Sequence, residues 1–510
     1  MASFKSSFSH LLRAKSLSHI QHNDRDHGCL KRVLGSSQLV LLGIGCIVGA
    51  GIFVMTGAAA ANYAGPALIL SFIVGGVACA FAGLCYAELA AMIPLSGSAY
   101  TYTSYSLGEQ AAWIIGWCLV LEYGIGASAV AVGWSGYLVS FLRDFGILLS
   151  PLWTHATGTI VTLADGTTAN AFFNFPASMI SLAAMCVLMG GVKQSSFVNA
   201  VIVAVKLAVI ICFIAVGSLY VDSSNWHPFI PANEGGSKYG WTGILTGAGF
   251  LFFAYVGFDA VATASQEAKN PQKNIPVGIL GSLLICTVLY IAVAVVLTGI
   301  VHYTKLNVPD PIAVAVNAMA LPWLAVVVKL GAIMGLSSVI LVLTYGLVRI
   351  LFAIAQDGLL PRLFQCIHPR FATPHKSTLL CGLSIALISG LTPITTLGHL
   401  VSLGTLCAFI VVCVGVIYLR KQHPAIERPF RCPLVPWVPM AAILSCVIII
   451  TGLPSETLTN FAMWTVLGIV IYCMYGAPRS KFVAPLPASV IGREPNLQME
   501  AARSDQSLLR

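Results

Sequence analysis

"GIGCIVGAGIFVMTG", residues Gly43–Gly57, carries five glycines in fifteen residues within a stretch apolar enough to cross a bilayer. Glycine in a helix interior costs roughly 1 kcal/mol relative to alanine, so the cluster calls for a reason. Unwinding a membrane helix frees N–H and C=O groups that lipid cannot satisfy. Such backbone survives only where it lines a cavity or meets a ligand. The competing reading is close helix packing through small-xxx-small contacts, for which Gly45 and Gly49 have the spacing.

The rest of the chain sets the context. Of 510 residues, 57% are hydrophobic and 9% charged, whereas soluble domains carry about 25% charged residues. A bilayer core of about 30 Å takes roughly 20 apolar residues per helix. The runs predict an all-α polytopic protein with twelve spans, near 37–60, 67–92, 111–141, 176–192, 197–220, 241–265, 275–301, 321–355, 378–393, 398–419, 434–454 and 459–477. With the N-terminus cytoplasmic, 21 of the 27 lysines and arginines fall on the inner side and only Arg143, Lys238 and Lys305 outside, as the positive-inside rule requires. Both termini are then cytoplasmic. The net charge of +9 lies in loops rather than in a patch, which argues against nucleic acid. The fifteen cysteines are scattered, without metal or disulfide spacing. No cleavable signal peptide is evident, and the basic N-terminus holds at most an interfacial amphipathic stretch.

Span 6, "GWTGILTGAGFLFFAYVGFDAVATASQEAKNP", repeats the irregularity of span 1 with Gly243, Gly247, Gly249 and Gly257. These two spans open two consecutive five-span units. Paired glycine-interrupted segments at matching places point to an inverted 5+5 repeat with a midplane site. The expected organisation is an N-terminal segment 1–36, repeat one 37–220, repeat two 241–419, two further helices 434–477 and a C-terminal tail 478–510. Two breaks meeting at mid-membrane suit a small zwitterion. N–H groups at a half-helix start favour a carboxylate, and carbonyls at a half-helix end favour an ammonium group.

"LKRVLGSSQLVLLGIGCIVGAGIFVMTG", "FFAYVGFDAVATASQEAKNPQKNIPVGI" and "VRILFAIAQDGLLP" together resemble the amino acid–polyamine–organocation superfamily. More narrowly, they are similar to prokaryotic relatives of the cationic amino acid transporters, over nearly all of residues 30–480. The resemblance implies a LeuT-like fold with helices 1 and 6 broken, alternating access, and a bacterial inner membrane. It also implies a substrate carboxylate held by backbone at Gly49, Ala50 and Gly51, and an ammonium group meeting carbonyls near Ile47, Phe253, Ala254 and Val256.

Lys206 lies some ten residues into span 5, where an ionisable side chain is costly and a candidate proton carrier. By resemblance it occupies the place where sodium-coupled members of the same fold hold an ion, which implies proton coupling without sodium. Glu122, well inside span 3, matches a family glutamate near the pocket. Asp259, on the inner half of span 6, caps freed backbone, gates the cytoplasmic path or serves structure alone. Glu88 reads as structural, and Asp357 and Arg362 match the family pattern without a derivable role. Phe253 is an aromatic lid or ordinary packing. Leu343 aligns with the side-chain end of the pocket, where members accepting arginine or lysine carry something small. Leucine there favours neutral side chains, although Glu122 argues the other way.

The expected function is therefore a secondary active, proton-coupled, sodium-independent L-amino acid symporter, with the lipid bilayer as surroundings and no cofactor or metal. Amino acid/amino acid or amino acid/polyamine exchange is the alternative. A channel would want a continuous polar stripe, and a nutrient sensor a substantial soluble domain. An enzyme would need a nucleophile–base pair or metal cluster, and the histidines, His399 among them, form no such motif.

Overall fold

The computed structural model describes residues 34–93, 97–163, 166–191, 196–263, 268–368 and 373–481. Most of the expected terminal segments, 1–33 and 482–510, lie outside the described residues. Among the described residues, seven helical runs are long and apolar enough to cross a membrane. One of them, Gly51–Met92, covers 42 residues but is two helices, because the chain leaves helical geometry at Gly65 (φ +59°, ψ −144°) just before Pro66.

In chain order the helices are α1 (Ser36–Ile47), α2 (51–64), α3 (Leu68–Met92), α4 (Ser98–Ser106) and α5 (Glu109–Asp144). A short antiparallel hairpin follows, β1 (Ile160–Thr162) on β2 (Thr168–Asn170), with Val161 opposite Ala169. Next come α6 (Phe175–Met189), α7 (Ser196–Gly217), α8 (Gly240–Leu251), α9 (Asp259–Thr263) and α10 (Pro271–Ile300). The last are α11 (Pro311–Ala318), α12 (Pro322–Gln356), α13 (His375–Leu391), α14 (Ile394–Gln422), α15 (Trp437–Thr451) and α16 (Ser455–Ile471). Pro271, Pro311 and Pro322 open their helices, where a missing N–H costs nothing.

Two groups of helices pack against each other. In one, α10 lies along α1 and α3, and α8 along α3. In the other, α5 lies along α12, and α6 along α13, with α14 against α5. Large apolar side chains such as Leu284, Val288, Leu444 and Met463 remain exposed on the outer faces. That is the surface lipid wets at no cost, whereas water would penalise it.

Two buried charges anchor the ends. Glu88, on α3, takes Arg420 of α14 in a two-pronged pair (Nε–Oε1 3.0 Å, Nη2–Oε2 2.6 Å) and accepts the Cys432 N–H at 2.7 Å. Arg428 Nε sits 3.4 Å from the same carboxylate. Lys329 of α12 pairs with Asp144 at the end of α5, Nζ–Oδ2 2.5 Å. Removing one member of a buried ion pair costs about 3–5 kcal/mol because the remaining charge is uncompensated. Glu88→Gln should therefore lower the detergent melting temperature clearly, whereas an unchanged melting curve would mean that this cluster carries no stability.

Candidate substrate site at two broken helices

Helix α1 stops at Ile47. Val48 is extended (φ −72°, ψ 98°), and helical backbone resumes at Ala50. The second break begins after α8: residues Phe252–Tyr255 tighten to a 3₁₀ turn, Val256 is extended, and Gly257 takes φ +117°. Only glycine adopts that conformation without strain, and a Cβ at Gly257 would stand 2.9 Å from the Cys46 carbonyl. The two breaks touch. A Cβ placed on Gly51 would lie 2.4 Å from Ala254 Cα, so the close approach itself requires glycine.

Helix α2 begins with a π turn, Gly51–Met55, whose displaced carbonyls at Gly51 and Ile52 accept from the Thr56 hydroxyl at 2.9 and 3.1 Å. The first N–H groups of a helix have no partner within it, so those around Gly49, Ala50 and Gly51 open at the break. The carbonyls of the other half-helix ends meet side chains. Tyr290, on α10, has its hydroxyl 2.8 Å from Ile47 O and 2.7 Å from Ala254 O. A phenol has one proton, so it donates to one of these carbonyls at a time, and it ties the two breaks together. Phe253 O accepts the Val256 N–H at 3.1 Å. Ser402 of α14 accepts the Phe253 N–H at 3.0 Å and stands 3.2 Å from Phe250 O, closing the second break from the opposite side.

Lys206, on α7, is 1% exposed. Its ammonium donates to Gly45 O at 3.1 Å and Val48 O at 3.3 Å, at the carbonyl end of α1, and its alkyl chain packs on Gly335 of α12. Unlike Lys329, it meets carbonyls rather than a carboxylate among the described residues. Glu122 is buried on α5 beside Thr405 of α14, within electrostatic range of Asp259. Asp259 opens α9 and accepts from the Ser98 hydroxyl of α4 at 3.0 Å and the Tyr123 hydroxyl of α5 at 2.9 Å. It thus joins three elements on the side away from α2. The Phe253 ring and Leu343 of α12 meet over Gly126: a Cβ there would lie 3.3 Å from Phe253 Cε2 and 3.6 Å from Leu343 Cδ1. Gly126 is one turn beyond Glu122, on the same face.

Every residue singled out from the sequence for substrate or proton is buried. Sequence reasoning missed Tyr290, Ser402 and Gly126. A tyrosine inside the apolar run of α10 was a usable signal, since a buried hydroxyl nearly always finds a partner. So was the three-residue spacing of His399, Ser402 and Thr405, which puts them on one side of α14.

Backbone broken twice at one buried place is the construction of a membrane carrier. The chain belongs to the amino acid permease family, whose model matches residues 34–475. It is 46% identical to a methylthioribose transporter of Bacillus subtilis over 472 residues, which is 92% of this chain and 99% of that one. It is 43% identical to the branched-chain amino acid permease BcaP of the same organism, over 92% and 98%. A vacuolar cationic amino acid transporter 4 of Arabidopsis thaliana is 37% identical over 81% of this chain and 68% of its own length. The protein is a multi-pass transporter of the cell (inner) membrane.

Proposed function

We propose that the chain is a proton-coupled, sodium-independent symporter of neutral L-amino acids working by alternating access. The observation that carries this reading is the ammonium of Lys206 seated on the carbonyl end of α1, beside the break that would hold the substrate. A lysine there supplies a cation that can be lost and regained as a proton. The substrate carboxylate would take the N–H groups at Gly49, Ala50 and Gly51. Its ammonium group would share Ile47, Phe253, Ala254 and Val256 carbonyls, in part with Tyr290. Glu122 would stand near the pocket and Asp259 would support the inner gate.

Twelve spans in a 5+5 inverted repeat, with both termini cytoplasmic, accommodate the helices. Spans 1 and 6 are α1–α2 and α8–α9. The packing of α3 on α10, α5 on α12 and α6 on α13 then pairs spans 2 with 7, 3 with 8 and 4 with 9, as a two-fold relation would. The charge distribution supports the orientation.

Leu343 and Phe253 closing over Gly126 shorten the side-chain end of the site, which favours neutral over cationic substrates. The likeness to BcaP points the same way. Methylthioribose has neither a carboxylate nor an ammonium group, so it would leave the charge-binding ends of both half-helices unused.

The test is uptake of labelled alanine, leucine, arginine, lysine and methylthioribose into sodium-free proteoliposomes, with and without an inward proton gradient. Gradient-driven accumulation of leucine or alanine supports the proposal. Uptake that needs internal amino acid and ignores the gradient makes the protein an exchanger. Leu343→Ala should raise arginine uptake relative to leucine by about tenfold, since one missing or added methylene group is worth about 1–3 kcal/mol of discrimination. An unchanged ratio would remove Leu343 from the specificity argument.

A further inference from the structure

His399 is 4% exposed near the start of α14. Its Nε2 lies 2.8 Å from the Tyr63 hydroxyl on α2. Its Nδ1 is buried with no hydrogen-bond partner among the described residues. The two rings and that of Phe250 form one stack of edges and faces: His399–Tyr63 5.4 Å, His399–Phe250 4.9 Å and Tyr63–Phe250 5.6 Å between centroids. Phe250 is the penultimate residue of α8, three before Phe253, and Gly398 next to His399 packs on both Phe250 and Met55 of α2.

The contact therefore joins three pieces. Helix α2 is the half of the first broken helix beyond the substrate break, and α8 is the half of the second broken helix before its break. Helix α14 holds the break itself through Ser402, one turn further on, and reaches Glu122 through Thr405, another three residues on. An opening that carries α2 away from α14 would separate Tyr63 from His399.

From this geometry we infer that the Tyr63–His399 pair is a proton-binding latch on the outer side of the site: taking up a proton from outside releases it. A neutral imidazole can satisfy Tyr63 through Nε2 and leave Nδ1 as a bare lone pair or a single unmet N–H. A second proton makes both nitrogens donors. Nε2 can then only donate to the phenol, and Nδ1 carries a charged N–H with no acceptor, so the closed arrangement loses its advantage. Tyr63 is the titratable group facing the ring from α2, the contact from α8 is the uncharged Phe250, and no charged side chain among the described residues acts on either group. The inference rests on the transport reading and on the outward placement of α2, but not on Lys206 carrying the coupled proton.

Exchange of internal for external labelled amino acid in proteoliposomes, at fixed internal pH and external pH from 5.5 to 7.5, isolates the latch, because exchange needs no net proton movement. Wild type should exchange about fivefold faster at the acid end, the factor that one hydrogen bond of about 1 kcal/mol supplies. His399→Gln, which keeps a polar group but takes no proton, should flatten that profile. Tyr63→Phe, which keeps the ring and removes the hydroxyl, should do the same and serves if the first variant does not fold. A variant with the wild-type acid dependence, or a wild type with none, overturns the latch. Gradient-driven accumulation in the same vesicles separates this from the symport reading, since the latch variants should still accumulate substrate and an exchanger would not.

Discussion

Lys206→Ala is expected to abolish accumulation of neutral amino acid against its gradient while leaving exchange measurable. The side chain has two contacts to lose, to Gly45 O and Val48 O, and both carbonyls are at the end of a half-helix where the backbone dipole favours a cation. With alanine there, no group in that position changes charge during the cycle, so a proton gradient has nothing to act on. The gradient-dependent component should fall at least about tenfold, which corresponds to losing roughly 1.4 kcal/mol of coupling. Lys206→Arg is the informative companion. It keeps the cation but does not release its proton in a protein, so accumulation should fail with the charge intact. Should either variant concentrate leucine as wild type does, the coupled proton is carried elsewhere.

The second large effect is expected at Gly51. A single methyl group there would stand 2.3 Å from Ala254 Cβ and 2.4 Å from its Cα. The obstructing atoms are the Ala254 backbone and the Cβ fixed to it, held by Tyr290 at Ala254 O and by Ser402 at the neighbouring Phe253 N–H. Gly51→Ala must therefore push the two breaks apart. Overpacking of this kind costs about 1–3 kcal/mol, and if that strain falls on the site, substrate affinity drops by up to about 100-fold. The measurement is the shift in melting temperature on adding saturating leucine, which should vanish in the variant. Gly124→Ala is the control, because its Cβ would meet only Leu347 Cδ2 at 3.6 Å. Equal ligand shifts in the two variants would show that contact between the breaks does not shape the site.

The helices were legible because each apolar run must cover the bilayer core with its backbone satisfied internally. Expected spans such as 111–141 and 321–355 correspond to α5 and α12 within three residues at either end. The break in span 1 was legible only in part: glycines at 49 and 51 fit either unwinding or close helix packing, and the matching glycines of span 6 favoured the break. The exact path was less so. Nothing in "GIFVM" announces the π turn at the start of α2, since that geometry follows from Thr56 folding its hydroxyl back on Gly51 and Ile52.

The sequence by itself determined that this is a membrane protein and where its helices run, since hydropathy is a local property, and its paired glycine clusters singled out the two helices in which a break was to be sought. It also singled out Lys206 and Glu122, because an ionisable group among apolar neighbours is conspicuous without any partner in view. Tertiary structure alone decided which partners these groups have. Lys206 and Lys329 look alike in sequence, yet one sits on carbonyls 158 and 161 residues away and the other on Asp144, 185 residues away. Tyr290, bridging Ile47 and Ala254 across 243 and 36 residues, belongs to the same class. Hydrogen bonds and close packing act over a few ångströms of space, and chain distance carries no trace of them until the helices have packed.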